Sequence, residues 1–281
     1  MKIRMEFRES LFLSIISTMS KNKGNQINID TLYTFYPLAI SNGKFGPMAL
    51  LASADANITG GEFTATGSKS ALTLTGSKAV NISGGTFTAE NGIALDVQKG
   101  TANVSGGEFT SDYLGIRTAY TTNISGGTVT VTGEEGKNAF ALYLGNSSLK
   151  GTSPVFNISA GKFSSSFRTL HRYSGSLSIS GGTFIANEVA VAGGNVAANV
   201  EVTGGYFSTS SEKDEILTGT NFNNAISGGS FNKAISTDYL KAGCSLSTAS
   251  PETIEGITYT HKVVGEYYPA QVNDTKYTSF E

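Results

Sequence analysis

The segment Asn81-Ile82-Ser83-Gly84-Gly85-Thr86-Phe87 is one copy of a phrase that recurs along most of the chain. Its general form is Asn, Ile or Val, Ser or Thr, Gly-Gly, any residue, then Phe. Clear copies begin at Asn57, Asn81, Asn103, Asn123, Asn157, Ser178, Glu201 and Ala225, after a degenerate copy, Ile40-Ser41-Asn42-Gly43-Lys44-Phe45. They follow one another at about 20 to 24 residues, with one longer interval before Asn157. A fixed period of this size means that one small unit is stacked many times. Chain length then counts rungs rather than domains.

Strand alternation assigns the faces within a copy. If Ile82 points inward, Asn81 and Ser83 point outward. Gly84-Gly85 then turns the chain, because Gly accepts φ > 0 without steric cost. Phe87 points inward on the next strand. A second apolar cluster follows in most copies: Leu72 and Leu74, Leu95 and Val97, Ile116, Leu142 and Leu144, Leu170, Val189 and Val191. Each copy thus supplies about three short strands and no helical period. The expected fold is all-β: a single-stranded, right-handed parallel β-helix of about eight to nine coils with end caps. Stacking lays Ile58, Ile82, Val104 and Ile124 in one column and Phe63, Phe87 and Phe109 in another, with Val129 breaking the aromatic series once. At about 4.8 Å per rung the rod is about 40 Å long. A sandwich of antiparallel hairpins is the alternative, since Gly-Gly is also a hairpin signal. Hairpins, however, do not require residue type to stay in register at one period.

The ends depart from the repeat. Residues 1–36 read as a non-repetitive cap, with a short helix over Met5 to Met19. Lys2, Arg4 and Arg8 ahead of the apolar run Leu11 to Ile16 resemble parts of an export signal, but Glu6 and Glu9 interrupt them. Residues 37–235 are the repeats. Residues 236–265 read as a C-terminal cap, with a turn at Ser236 to Gly243 and a hairpin within Pro251 to Val264. Residues 266–281 read as a linker toward a following module, because Thr278-Ser279-Phe280-Glu281 is a capping box with no helix after it. Gly145 to Pro154 is an insertion, expected as a loop on one face.

Composition narrows the function classes. Charged residues make up 15% of the 281 and the formal net charge is −2, which argues against a nucleic-acid partner needing a basic face. One cysteine, Cys244, permits neither a disulfide framework nor a cysteine-held metal, and reads as buried in the last coil. No apolar run is long enough to cross a membrane.

The repeated Ile-Ser-Gly-Gly-Thr-Phe phrase resembles the β-helix repeats of large bacterial surface proteins. The terminal Gly228-Gly229-Ser230-Phe231 coil, Asp238-Tyr239-Leu240 and the hairpin ending Lys262-Val263-Val264 resemble their usual lid. The resemblance covers roughly residues 40 to 281. It implies an extracellular or cell-surface adhesion or spacer module, carried in a longer polypeptide and binding a polysaccharide or cell-surface glycan. The more distant pectate-lyase-like superfamily implies the alternative, a polysaccharide lyase or hydrolase, including phage-spike-like ones.

Chemistry is sparse. Calcium-binding rolls place Asp soon after Gly-Gly. Here Glu62 and Glu108 are single turn carboxylates. A glycosidase needs two carboxyl groups about 5 to 9.5 Å apart. Glu134-Glu135 and Asp214-Glu215 are adjacent in sequence and read as solvated surface. His171 and His261 have no nucleophile motif beside them. No cofactor is expected. One outward column stands out on the second apolar strand: Thr73, Asp96, Arg117, Tyr143 and His171, then Ala190, with Tyr173 close by. Asp96, Arg117, Tyr143, His171 and Tyr173 are the candidate ligand-binding residues, a strip able to hold a sugar chain by hydrogen bonds and ring stacking. The Asn column reads as structural, its amides bonding along the ladder.

Overall fold

A computed structural model describes residues 2–4, 31–34, 38–52, 55–134, 138–145, 153–193, 199–265, 270–272 and 275–277. Among these, the strands stack into a parallel β-solenoid of about seven turns, close to the expected eight to nine. One sheet has ten strands and a second, largely parallel, has seventeen.

The first two strands of each turn are built as the alternation requires. In the turn from Ala56 to Leu74 the strands are Ala56–Ile58, Glu62–Ala65 and Ser70–Leu74. The first two belong to the seventeen-stranded sheet, which wraps around the Gly-Gly corner. The third joins the ten-stranded sheet. Neighbouring turns pair in one constant register, Ile58 with Ile82 and Phe63 with Phe87. Those residues and their stack-mates are buried. The phenylalanine rings stack at centroid spacings of 4.7 to 5.1 Å in two runs, Phe45 to Phe109 and Phe163 to Phe231. Val129 stands between the runs, paired with Phe109 and Phe163. Outside the same sheet the asparagines form a ladder. Asn81, Asn103, Asn123 and Asn157 each donate Nδ2 to the Oδ1 of the preceding asparagine at 2.8 to 2.9 Å.

The glycine corners allow the turns to approach this closely. A Cβ on Gly84 or Gly106 would fall closer than 3.0 Å to the carbonyl oxygen of Thr59 or Ser83 one turn earlier. The following Gly85 and Gly107 sit at φ +100° and +97°. The first position has no room for a side chain, and the second holds a backbone conformation that side chains disfavour.

The strands of the ten-stranded sheet break simple alternation. Ala71 and Leu72, Ala94 and Leu95, Ala141 and Leu142, and Ala190 and Val191 are consecutive and all buried. Two inward residues in a row reverse the phase of the strand. The residue before the pair therefore points out, as does the one after it. Val189 pairs with outward Arg168, not with a core residue. Val189 is buried, as Val191 is, but it stands in the row of Arg168, whereas Val191 pairs with Leu170.

In the C-terminal segment the hairpin is shorter than expected and ends at Tyr259, while His261–Gly265 is a separate strand. Ser236 caps the short turn Thr237–Tyr239, and Leu240 bridges Ile226. His261–Gly265 runs antiparallel to the last rung strand and to Cys244–Ser247. The hairpin Glu252–Ile254 and Ile257–Tyr259 turns at Glu255-Gly256, both at positive φ. It folds back over the outside of the stack: Glu255 pairs with Lys162, and Tyr206 Oη donates to Glu252 Oε1 at 3.1 Å. Cys244 is half-buried against the core rather than buried in it. The expected helix at Met5 to Met19 and the capping box at Thr278 to Glu281 lie outside the described residues, as does most of the insertion.

Candidate binding strip

The phase reversal creates the candidate site. It puts two outward rows on the ten-stranded sheet, three positions apart. The row after the inward pair runs Thr73, Asp96, Arg117, Tyr143, His171 and Ala192, each paired with the next. This is the predicted column, with one correction: Ala192, not Ala190, follows His171, because Ala190 is half of an inward pair. The row before it runs Ser70, Ile93, Leu114, Phe140, Arg168 and Val189. Ile93, Leu114 and Phe140 form a small apolar cluster separate from the main core, with Tyr143 and Phe167 packed against it.

The two rows meet in a ring assembly. Tyr143 and His171 stack at 5.4 Å between centroids, with 23° between planes. Phe140 lies 4.8 Å from His171 and 5.6 Å from Tyr143, and Phe167 lies 5.7 Å from Phe140. The Arg168 guanidinium sits 4.7 Å over the Phe167 ring, a cation–π contact. Tyr113 and Tyr173 are 45% and 44% exposed. Burial, and then the neighbouring Tyr113 and Tyr173 hydroxyls, push the Tyr143 phenol above its ordinary range, against an opposing effect of Arg117. Tyr173 lies against Gly145, at φ +109°. The strip thus brings together all five predicted residues.

Asp96 is the anchor of its polar end. It is 1% exposed. Arg117 Nε donates to its Oδ1 at 2.8 Å and Arg117 Nη2 to its Oδ2 at 2.7 Å, while Gln98 Nε2 adds a bond to Oδ2 at 2.7 Å. Burial pulls the Arg117 guanidinium down, but the hydrogen bond and charge of Asp96 outweigh it and its affinity for the proton is raised. His171 is shifted the other way, to about 4, by burial and then by the Arg168 charge. At neutral pH it is an uncharged ring, with its Nδ1 buried and unbonded.

Sequence reasoning missed Phe140, Phe167, Arg168 and Tyr113. The legible signal was the doublet of a small residue followed by a larger aliphatic one, repeated at Ala71-Leu72, Ala94-Leu95, Gly115-Ile116, Ala141-Leu142, Thr169-Leu170 and Ala190-Val191. It also missed Arg172, which points into the solenoid core at 0% exposure and donates Nε to the Gly175 carbonyl at 2.7 Å. Burial lowers its pKa.

The other polar candidates do not converge. Asp214 accepts from Ser211 Oγ at 2.6 Å, and its carbonyl takes the Lys233 ammonium, so it shapes a loop. Glu134 is exposed, and Glu135 lies outside the described residues. His261 is bonded to Thr260 in the cap, in a different sheet from His171. An open groove of about 570 Å³ follows the glycine corners, lined by Asn42, Glu62, Thr86, Glu108 and Thr128. Glu62 there pairs with Lys44 at 3.0 Å. Among the described residues no group of three or more His, Cys, Asp or Glu could hold a metal, and no helix is long and apolar enough to cross a membrane.

No protein-family model, no curated protein and no solved structure matches this chain.

Proposed function

We propose that this chain is a non-enzymatic, surface-displayed recognition module whose outer strip on the ten-stranded sheet binds a glycan. The observation that supports this reading is the Tyr143–His171 ring pair, flanked by two exposed tyrosines and by a guanidinium held in place by Asp96. Aromatic faces stack on the apolar faces of sugar rings, and rigid hydrogen-bond donors orient hydroxyls. The strip follows the solenoid axis, as a linear saccharide would. Among its described residues Asp96 is the one carboxylate, and both of its oxygens are engaged. It therefore lacks the pair of free carboxyl groups that glycoside hydrolysis uses.

Incubation with an immobilised glycan panel, alongside an assay for new reducing ends and unsaturated sugars, tests the reading. Binding without turnover, lost in Tyr143→Ala, is the expected result. Turnover would replace the module by a polysaccharide-degrading enzyme. Binding that survives both Tyr143→Ala and Arg117→Ala would move the site elsewhere on the solenoid. No binding at all would leave a pure spacer.

A further inference from the structure

We infer that the strip selects glycans bearing a carboxylate, and that Arg168 is the residue that recognises it. This rests on the glycan-binding reading and adds a ligand class and a specificity residue to it. Two guanidiniums flank the ring pair, but they differ in what they have left to give. Arg117 spends its charge on Asp96, with two N–H groups on the two carboxylate oxygens. Arg168 has no ion-pair partner among the described residues, and its Nε makes no hydrogen bond. Its guanidinium carbon sits over the Phe167 ring, which holds the cation in place without neutralising it.

A half-buried cation that lacks a counter-charge is unfavourable in isolation, and a carboxylate is the group that fits its fork bidentately. The ladder partners of Arg168 and the rings beside it do not supply that charge. Phe140 is its partner on the previous rung and Val189 on the next. His171, on its own strand, is uncharged at neutral pH and feels the Arg168 charge as repulsion. Tyr143, with its phenol pushed up, is uncharged as well. Neither its strand partners nor the rings beside it therefore carry a counter-charge for Arg168. The stacked rings beside it offer a seat for the sugar that would carry that anion.

The test uses hyaluronan oligosaccharides, which carry a glucuronate in every disaccharide, and the same oligosaccharides after reduction of the carboxyl to an alcohol. Calorimetry on the full chain should show the carboxylated form binding about tenfold or more tightly. That preference should weaken with added salt, collapse in Arg168→Gln and be partly kept in Arg168→Lys. The bound carboxylate should also raise the His171 titration midpoint seen by NMR, since an anion near the ring favours its charged form. Equal affinity for both forms would overturn the carboxylate assignment while leaving glycan binding intact. So would binding of sulfated glycans alone. Binding of neither form, nor of any panel glycan, would sink the glycan reading itself. If Arg168→Gln fails to fold, the comparison of native and reduced oligosaccharides on the unmodified protein, with its salt dependence, still decides.

Discussion

Arg117 stands one rung along from Asp96 and grips both of its carboxylate oxygens, at 2.8 and 2.7 Å. The pairing is unequal: the carboxylate is buried, while the guanidinium keeps about a quarter of its surface in solvent. Removing the arginine strands a buried charge, whereas removing both partners does not. Arg117→Ala should therefore cost about 3–5 kcal/mol and Arg117→Ala with Asp96→Ala clearly less than the sum of the single changes. Urea midpoints for the four proteins of this double-mutant cycle supply the comparison. Additive costs would show that the pair is not coupled.

Glycine substitution should separate corners that stack from turns that do not. Gly106→Ala places a Cβ against the Ser83 carbonyl one turn away, where the backbone has no room to yield. It should cost several times more stability than Gly256→Ala, whose Cβ meets nothing within 4 Å and whose cost is that of φ +80° alone, about 1 kcal/mol. Thermal or urea unfolding of the two variants measures the contrast.

Completing the aromatic column should be harmful. Val129 lies between Phe109 and Phe163, and its Cγ1 occupies the space that a side chain on Gly115 would need. Val129→Phe would lengthen the ring stack yet overfill that point, costing about 1–3 kcal/mol. Removing a stacked ring, as in Phe87→Ala, should cost about 3–5 kcal/mol. If Val129→Phe were instead stabilising, the packing described at Gly115 would be incorrect.

The His171 ring links stability to pH. Its folded pKa is about 4, against about 6.5 when unfolded. Between these values the unfolded chain holds more protons, so stability rises with pH across that window. Lowering the pH from 7 toward 4 should remove up to about 3 kcal/mol through this group. His171→Phe should flatten that part of the profile. Arg168→Gln should move the His171 midpoint upward, because it deletes a repelling charge. Chemical denaturation across pH 4 to 7 tests the first two expectations and NMR titration the third.

Much of the fold was legible in the phrase itself. Ile82 and Phe87 recur at one period, and a residue type that returns in register is satisfied by stacking like on like. The column Asp96, Arg117, Tyr143 and His171 was legible for the same reason, because pairing across rungs follows once the period is known. The ring assembly around Arg168 was not legible. Strict alternation assigns Val189 inward and Ala190 outward, and only the doubled inward pair reverses them. That reversal depends on small residues such as Ala94 and Ala141 fitting against the core beside a leucine, which is a packing constraint rather than a period.

By itself the sequence determined the rung: its length, its glycine corner, and the columns of Ile, Phe and Asn. These follow from local conformational preference and from repetition, both properties of the chain read one residue after another. Tertiary structure alone decided which side chains share the outer face. It set Phe140 and Arg168 beside Tyr143 and His171, buried Asp96 under Arg117, turned Arg172 into the core, and laid the Glu252 to Tyr259 hairpin over Lys162 and Tyr206. Each of these joins residues from different turns or cap segments, or rests on where the strand phase slips. Contacts of that kind depend on the volume and charge found across the gap, which no single repeat carries.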